Sequence, residues 1–444
     1  MNDPKTPSDN RPSPDLPRSG GPKPQPPKAY RWLVLIFVSL TMFGNYYIFD
    51  SINPLVDIFR SQLGFSASVI GYLNSAYNGA AILALAVGGI IVDRFGTKRS
   101  ITFFSILCLI ASAWMVISGH AWSMLAARFV LGLGAEPLIV AVTTAIAKWF
   151  KGKELSFAFG VNLLIARAAS WLADNSPTWA SWAFDGTWYR PLHIGIAAGL
   201  ICVVAALIYW VLEARGERLY TVGEAAATDK LRVRDAFLFG RTFWYIVALC
   251  VTFYAVVFSF RLFGIDYFIS AHGRSREAAG RLNGFLPLMA MWATPVFGLI
   301  ADRVGKRATF MLIGSGAMPL VFLLMGYSQA SLWLPVGMLG VAFSLIPAIM
   351  WPSVAYLVEQ RRLGSAYALM TLCQQVGWLI MNQAIGYSQD RFRATPAHPA
   401  GYLPMLWILT GVSLLGIVFA FLLWRAGQGP EAHALETITT KTGV

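Results

Sequence analysis

Long apolar stretches alternate with short polar or basic segments along most of the 444-residue chain. About twelve of these stretches are roughly 20 residues long or longer, which is the length that an α-helix needs to cross a hydrocarbon core of ~30 Å. The pattern therefore predicts an all-α membrane protein with 12 transmembrane helices. We place them near residues 32–56, 66–92, 100–118, 121–147, 154–182, 193–213, 241–264, 276–301, 308–327, 331–357, 363–389 and 402–424.

One part of this pattern occurs twice. The segment Gly88–Arg99 contains Asp-Arg-Phe-Gly-Thr-Lys-Arg, and Gly298–Arg307 contains Asp-Arg-Val-Gly-Lys-Arg, 209 residues further on. The apolar stretch before each segment aligns at the same offset without a gap, so Gly71–Asn74 matches Gly280–Asn283. Parallel internal repeats in an apolar chain are typical of transporters. The chain is therefore predicted to form two six-helix halves, related by pseudo-two-fold symmetry around a central cavity.

The remaining segments divide the chain into five parts. Residues 1–30 are rich in proline and polar residues, cannot bury a core and are predicted to be a disordered cytoplasmic tail. Residues 31–213 and 241–425 form the two six-helix halves. Residues 214–240 mix acidic and basic side chains and are predicted to be the cytoplasmic linker between the halves, and residues 426–444 a cytoplasmic C-terminal tail.

Composition and charge support a membrane location and argue against a nucleic-acid partner. The chain is 56% apolar and 13% charged, whereas soluble domains carry about 25% charged residues. Its net charge of +13 comes from basic residues concentrated on one side of the predicted spans, where all ten lysines and 25 of the 35 basic residues lie. Cytoplasmic loops carry such an excess of Lys and Arg, so both termini are predicted to be cytoplasmic.

The sequence offers no pattern for catalysis or for a cofactor. The four cysteines, Cys108, Cys202, Cys250 and Cys373, fall inside predicted spans and form no Cys-x-x-Cys pair, which argues against a disulfide framework or a metal cluster. The five histidines are scattered over loops and span ends, with no nucleophile–base arrangement. An enzyme, a metal centre and a bound cofactor are therefore not expected.

Two opposite charges lie inside the predicted membrane region. Glu136 and Arg167 lie about fifteen residues on either side of the turn at Lys151-Gly152, so each is ~23 Å from that turn, near the midplane. One interpretation is a buried ion pair that neutralises itself and fixes helix packing. The other is a split site, in which Arg167 binds a carboxylate and Glu136 an ammonium group, because charges inside a membrane are costly and usually functional. Such a site would complement a zwitterion.

Other polar residues fall at related depths. Arg128 and Asp174 match each other in depth nearer the outside and are predicted to be a structural or gating pair, whereas Arg261 is predicted to lie at the outer rim. Aromatic and amide-bearing residues near the depth of Glu136 fit either helix packing or contact with a substrate. The candidates for substrate contact are Tyr46, Asp50, Asn74, Tyr77, Asn78, Tyr254, Trp351, Gln375, Trp378 and Asn382.

The doubled Asp-Arg-x-Gly-x-Lys/Arg sequence resembles the signature of the major facilitator superfamily. Residues 128–135, Arg-Phe-Val-Leu-Gly-Leu-Gly-Ala, resemble that superfamily's fourth-helix motif, while the fifth span lacks the Gly-x-x-x-Gly-Pro pattern of drug/proton antiporters. The resemblance implies the major facilitator fold and a gate at the two basic turns. The gating residues would be Asp93, Arg94, Lys98, Arg99, Asp302, Arg303, Lys306 and Arg307, together with Arg128 and Asp174.

A narrower resemblance covers most of the chain. Gly132–Leu138, Trp149–Leu155 and Ala158–Gly160 resemble the fourth and fifth helices of the lysosomal dipeptide transporter family. This resemblance implies transport of dipeptides, with Glu136 and Arg167 at the two charged binding positions, one for each end of a peptide.

The sequence also departs from the animal members of that family. Pro137 stands where they carry Ser, and Asp174 is an addition. The Pro-rich tail carries no acidic dileucine sorting signal, so we expect a bacterial-type cell (inner) membrane rather than the lysosome. The resemblance gives no basis for predicting an accessory subunit.

These observations predict a secondary transporter that moves dipeptides by alternating access. It would act as a uniporter, as the resemblance suggests, or couple transport to protons. Two alternatives remain open: an organic-anion or sugar carrier, in which Arg167 binds the anion and Glu136 is a proton switch, and a membrane receptor that transports nothing. The expected partners are a dipeptide, the lipid bilayer and, in the coupled case, protons.

Overall fold

A computed structural model describes residues 23–150, 153–223, 238–359, 362–428 and 434–438. These residues form helices joined by short connections, with no β-strand in the described ranges. The twelve helices of 19 residues or more in that part of the chain are α1 (Lys28–Asp50), α2 (Ala67–Phe95), α3 (Thr97–Met115), α4 (Ala121–Phe150), α5 (Leu155–Asp174), α6 (Leu192–Leu219), α7 (Arg241–His272), α8 (Arg276–Val304), α9 (Arg307–Tyr327), α10 (Trp333–Leu357), α11 (Leu363–Arg391) and α12 (Leu403–Ala426).

Short helices occupy several connections. Two follow α1, two follow α5, one precedes α12, and one lies near the C-terminus. Their bounds are Asn53–Leu55, Val56–Gln62, Ser176–Trp179, Ser181–Phe184, Pro399–Tyr402 and Ala434–Glu436. Because consecutive long helices reverse direction, α1 begins, α6 ends and α7 begins on one side of the molecule. We call this side the terminus face, and the opposite side, where α1 ends and α7 ends, the far face.

Most of the long helices are suited to a membrane. In the described residues, ten spans are long and apolar enough to cross it, and an eleventh is formed by α2 if its two segments, bent by 52°, count as one. The remaining long helix, α11, carries polar side chains along the cavity described below. The predicted all-α membrane fold is therefore confirmed, while the count of 12 crossing helices stays a prediction.

The sequence repeat produces the same local structure in both halves. Helix α2 begins where Ser66 Oγ accepts a hydrogen bond from the Val69 amide, and α8 begins with the same bond from the Ala278 amide to Ser275 Oγ, each 3.3 Å long. Such N-caps satisfy amides that the first turn leaves free. Both helices end at glycines with positive φ, +80° at Gly96 and +73° at Gly305, a conformation that glycine adopts without strain.

The two halves meet on the far face at the repeated glycines. Gly71 of α2 lies against the carbonyl oxygen of Asn382 in α11, and Gly280 of α8 lies against that of Asp174 in α5. These pairs are counterparts under the repeat, because Asn382 follows Asp174 by 208 residues. At Gly71 an added Cβ would lie 2.5 Å from the carbonyl oxygen. Glycine is thus required for the backbones of the two halves to approach this closely.

The structure sets two boundaries differently from the sequence. Residues 23–30, assigned above to a disordered tail, have defined contacts: the Thr221 amide donates to the Pro24 carbonyl at 3.0 Å, and α1 already begins at Lys28. Helix α6 continues to Leu219, six residues into the predicted linker, because its last turns carry acids that pair with the basic turn. Much of the predicted tails and linker lies outside the described residues, namely 1–22, 224–237, 429–433 and 439–444.

Candidate substrate cavity

A cavity of about 200 Å³ lies between the two halves. The first half contributes residues from α1, α2, α4 and α5, and the second half contributes residues from α7, α10 and α11. The lining residues are Asn45, Tyr46, Phe49, Asp50, Tyr77, Glu136, Ile139, Arg167, Ser170, Tyr254, Phe258, Trp351, Thr371, Gln374, Gln375 and Trp378.

Glu136 reaches the cavity from the middle of α4. Its Oε1 atom accepts two hydrogen bonds, from the Tyr77 hydroxyl at 2.8 Å and from Gln375 Nε2 at 3.1 Å. The first partner belongs to the same half and the second to the other half. Both bonds go to one oxygen, so Oε2 is available to a further donor in the cavity.

Arg167 reaches the same cavity from α5. Its guanidinium carbon lies 5.0 Å from the centre of the Phe343 ring and 6.0 Å from that of Tyr46, so it contacts one ring from each half. Among the described residues, no carboxylate oxygen lies within 4.0 Å of an Arg167 nitrogen, Glu136 included. The interpretation of Glu136 and Arg167 as a self-neutralising ion pair was therefore wrong. Glu136 and Arg167 thus lie in the wall of the same cavity without pairing with each other.

Nine of the twelve candidate contact residues line the cavity, and three do not. Asn74 accepts a hydrogen bond from Arg128 at the packed interface of α2 and α4. Asn78 donates to the Gln375 carbonyl at 3.4 Å, and Asn382 Oδ1 accepts from the Ser259 hydroxyl at 2.8 Å. Each of these three contacts joins two helices and satisfies a buried polar group of the neighbouring helix. The nine that line it are Tyr46, Asp50, Tyr77, Glu136, Arg167, Tyr254, Trp351, Gln375 and Trp378.

Sequence reasoning missed seven lining residues, and helical spacing would have found several of them. Phe258 follows Tyr254 by four residues, so the two share one face of α7. Gln374 and Thr371 precede Trp378 by four and seven residues on α11, again on one face. The missed residues are Asn45, Phe49, Ile139, Ser170, Phe258, Thr371 and Gln374.

A buried ionic cluster closes the cavity toward the far face. Arg261 of α7 binds Asp174 of α5 through Nη2 and Oδ2 at 2.8 Å, and its Nη1 lies 3.3 Å from Asp50 Oδ1. All three residues are at most 2% exposed. Asn53 Nδ2 donates to both carboxylates, at 3.2 Å to Asp50 and 3.0 Å to Asp174. One guanidinium of the second half is thus held by two carboxylates of the first.

This cluster corrects two predictions. Arg261 was expected at the outer rim, yet it is buried between the halves. The expected pair of Arg128 and Asp174 does not form, because Asp174 binds Arg261 instead. Arg128 donates to the Phe49 carbonyl at 3.1 Å and to Asn74, within the first half.

Further charged contacts join the halves on the far face. Arg60 binds Asp266 at 2.8 Å, and Arg276 binds Asp57 at 2.7 Å. Asp390, near the end of α11, accepts the backbone amides of residues 67 and 68 at 2.8 Å each, and so caps the start of α2. The halves are therefore held together on this face by several ionic contacts as well as by close packing.

Comparison with known proteins decides the family. The sequence profile of the Major Facilitator Superfamily matches residues 37–381, which is most of the chain. The chain belongs to the major facilitator superfamily. It is a multi-pass membrane transporter of that superfamily rather than an enzyme.

Individual proteins resemble this superfamily member over most of its length. The human "Lysosomal dipeptide transporter MFSD1" is 29% identical over 416 residues, which cover 90% of this chain and 88% of the relative. The zebrafish (Danio rerio) protein of the same name is 28% identical over 373 residues, covering 81% of each. A solved bacterial homologue of the human lysosomal transporter Spinster, inward-facing and unoccupied, superposes with a TM-score of 0.72. That alignment has 17% identity and covers 90% of this chain and 98% of the other, so it shows the fold alone.

The superfamily signature lies on the terminus face. Lys98 binds Glu217 of α6 at 2.5 Å, and Lys148 binds both Glu213 and Glu217 at 2.5 and 2.6 Å. In the second half, Arg307 binds Asp302 of the same signature at 2.7 Å. Each of these pairs lies within one half, and the pairs of Lys98 and Arg307 anchor the signature turns to helices of their own half. The gating role of the signature residues stays a prediction.

Proposed function

We propose that this superfamily member transports dipeptides across the cell (inner) membrane by alternating access, with both termini in the cytoplasm. The observation that carries the proposal is the presence of Glu136 and Arg167 in the wall of one cavity without an ion pair between them. An acid and a base that face the same cavity unpaired are complementary to a zwitterion. The similarity to proteins named dipeptide transporters supports a peptide as that zwitterion.

The geometry suggests how each end of a dipeptide is held. The terminal carboxylate would bind the Arg167 guanidinium, whose planar donors suit a carboxylate and whose faces are already supported by two rings. The terminal ammonium would bind Glu136 at Oε2, because Oε1 already has its partners in Tyr77 and Gln375. The two halves would then rock around this site and expose it to each side in turn.

A carrier for organic anions or sugars is the second candidate, and one contact favours it. Glu136 has two hydrogen-bond partners in the protein without any ammonium group. A monocarboxylate substrate would need only Arg167. A dipeptide needs both charges, so binding of substrates with one or two charged ends separates the candidates.

A ligand panel on the purified, full-length protein tests the proposal. Ligands that bind only the native state raise its melting temperature. We expect Ala-Ala to raise it, and alanine, Ala-Ala-Ala, glucuronate and xylose to leave it unchanged. Stabilisation by glucuronate without stabilisation by Ala-Ala would reject the dipeptide proposal in favour of the second candidate.

Uptake into proteoliposomes then tests transport and coupling. Labelled Ala-Ala should enter liposomes that contain the wild-type protein. Liposomes with Glu136→Gln or Arg167→Ala should take up no more than protein-free liposomes, although both variants keep the wild-type melting profile without ligand. Uptake that follows an imposed proton gradient would indicate proton coupling, and uptake that ignores it would indicate uniport.

A further inference from the structure

The short helix Ala434–Glu436, near the C-terminus, is docked on the terminus face at the start of α9. Glu436 binds Thr309 through both carboxylate oxygens: Oε1 accepts the Thr309 amide at 3.0 Å, and Oε2 accepts the Thr309 hydroxyl at 2.8 Å. The Glu436 carbonyl oxygen accepts the Lys306 amide at 3.0 Å. Leu435 is fully buried in the larger hydrophobic core, and the helix packs against α9 and α10. We call Ala434–Glu436 the C-terminal anchor.

The anchor supplies the second signature turn with contacts that the turn itself lacks. The first amides of a helix have no partner within that helix, and Glu436 accepts the amide of Thr309 in the first turn of α9. An acid is also favourable near the positive end of a helix. Lys306 has a φ of +48°, a left-handed conformation that a residue with a side chain keeps only where its surroundings hold it. The bond from its amide to Glu436 is such a contact.

The first half holds its own signature turn with an acid of a long helix. Glu213 of α6 accepts the hydroxyl of Thr97 at 2.6 Å, and Thr97 corresponds to Lys306 at the offset of 209 residues. Helix α12 is the counterpart of α6 in the second half, and it contains no acidic residue. The acid that binds the second turn therefore comes from the C-terminal anchor.

The two acids differ in how they are attached to their halves. Glu213 belongs to a helix of 28 residues and cannot leave its turn unless that helix moves. Glu436 belongs to a helix of three residues, which residues 427–433 join to α12. Short segments with few buried contacts open locally at a much lower free-energy cost than long packed helices. The anchor can therefore be released while the twelve long helices stay in place.

Release of the anchor would affect closure of the terminus face. The two signature turns are the expected gate on this face, so closure requires the second turn in a fixed conformation. A turn that is not held must lose conformational entropy when the face closes, which makes closure less favourable. Neither Thr309 nor Glu436 lines the cavity, so the substrate site itself would be unchanged.

We propose that the C-terminal anchor is a releasable regulatory element, which holds the second signature turn in the conformation that closes the terminus face. The inference goes beyond the proposed function, because it applies to any substrate that the cavity binds. A modification or a partner that removed the anchor would slow transport and leave the affinity for the substrate unchanged.

Hydrogen exchange on the full-length protein in detergent tests the docking. In Glu436→Ala we expect the amides of Lys306 and Thr309 to exchange about 3- to 10-fold faster than in the wild type, because each loses its acceptor or the support for it. Gln428→Ala, at an exposed residue between α12 and the anchor, is the matched control and should leave both amides unchanged. Equal exchange in the wild type and Glu436→Ala would overturn the docking.

Alkylation of a cysteine on the far face tests the regulatory role without a substrate. In alternating access the far face opens only when the terminus face closes. With Cys373→Ser as background, Ser176→Cys should therefore react about 3- to 10-fold more slowly when Glu436→Ala is added, and at an unchanged rate when Gln428→Ala is added. An unchanged rate with Glu436→Ala would overturn the regulatory role.

Uptake and calorimetry with Ala-Ala then separate the anchor from the substrate site. We expect Glu436→Ala to slow uptake into proteoliposomes, while its affinity for Ala-Ala stays within about threefold of the wild type. Uptake at the wild-type rate would overturn the proposal. Absence of Ala-Ala binding by the wild-type protein would overturn the proposed function, and the anchor would still be tested by alkylation.

Discussion

Glu136 Oε1 accepts a hydrogen bond of 3.1 Å from Gln375 Nε2, across the boundary between the two halves. Gln375 follows Arg167 by 208 residues and is its counterpart under the repeat. The position that holds a free cation in the first half thus holds a neutral amide in the second, and this amide binds the acid of the first half. A substrate ammonium at Glu136 would share its carboxylate with a residue of the opposite half, so substrate binding acts directly on a contact between the halves.

Restoring the symmetry of the repeat at this position should impair binding. In Gln375→Arg, the new guanidinium would pair with Glu136 and occupy the acid that the ammonium needs. We expect the affinity for Ala-Ala to fall by about tenfold or more, measured by calorimetry. Gln375→Met, which has a similar length and no charge, should stay within about threefold of the wild type. Equal losses in both variants would show that the amide itself, and not the neutrality of this position, matters.

The two charged residues should each recognise one end of the peptide. Arg167→Ala should weaken Ala-Ala by about 10- to 100-fold, since a charged hydrogen-bonded contact is lost. The same substitution should hardly affect Ala-Ala amide, which has no terminal carboxylate. Glu136→Gln should show the reverse pattern, with a large loss for Ala-Ala and little for N-acetyl-Ala-Ala.

Competition against labelled Ala-Ala measures the binding of Ala-Ala and Ala-Ala amide to Arg167→Ala, and of Ala-Ala and N-acetyl-Ala-Ala to Glu136→Gln. If Arg167→Ala weakened Ala-Ala and its amide by the same factor, Arg167 would not contact the carboxylate. That result would also indicate that a different orientation of the peptide should be sought.

The sequence predicted the fold well because its evidence is local and repeated. The apolar stretches and the doubled Asp-Arg-x-Gly turn are each short patterns that determine a helix or its end. Much of the cavity lining could also be predicted, since residue type and depth alone selected Tyr254 and Trp351. Depth was also enough to place Glu136 and Arg167 at one level.

Depth alone did not reveal which helices are neighbours. Arg128 and Asp174 match in depth along one hairpin, yet Asp174 binds Arg261, which is 87 residues away in sequence and in the other half. The rotation of each helix about its axis decides such partners, and this rotation depends on packing across the whole molecule. For the same reason the contacts of Arg60 with Asp266 and of Arg276 with Asp57 had no signal in the sequence.

The buried cluster of Arg261, Asp50 and Asp174 should be sensitive to removal of its cation. Arg261→Met leaves two carboxylates buried without a partner charge, and we expect the free energy of unfolding to fall by about 3–5 kcal/mol. Adding Asp50→Asn and Asp174→Asn to the same chain removes the two unpaired carboxylate charges. The triple variant should therefore regain most of the lost free energy of unfolding. Arg281→Met, at an exposed position of α8, should change the free energy of unfolding by less than about 0.5 kcal/mol. Denaturant titration in detergent measures all three, and a loss that the asparagines do not restore would contradict the ionic explanation.

The repeated glycines of the far face should control which way the transporter faces. Gly71→Ala and Gly280→Ala each place a methyl group against a carbonyl oxygen of the other half. Overpacking of this kind costs about 1–3 kcal/mol, which shifts an equilibrium between conformations roughly 5- to 150-fold. The cost applies only when the far face is closed, so both variants should favour the state in which it is open and should transport more slowly.

Alkylation of a cysteine at Ser176 reports this state, because Ser176 lies on the far face and is 4% exposed. With Cys373→Ser as background, Ser176→Cys should react faster when combined with Gly71→Ala or Gly280→Ala. Gly316→Ala is the matched control, since an added Cβ there meets nothing within 4 Å, and it should leave both alkylation and transport unchanged. Slower transport without faster alkylation would contradict the prediction. It would mean that the glycines support folding or binding and do not control the opening of the far face.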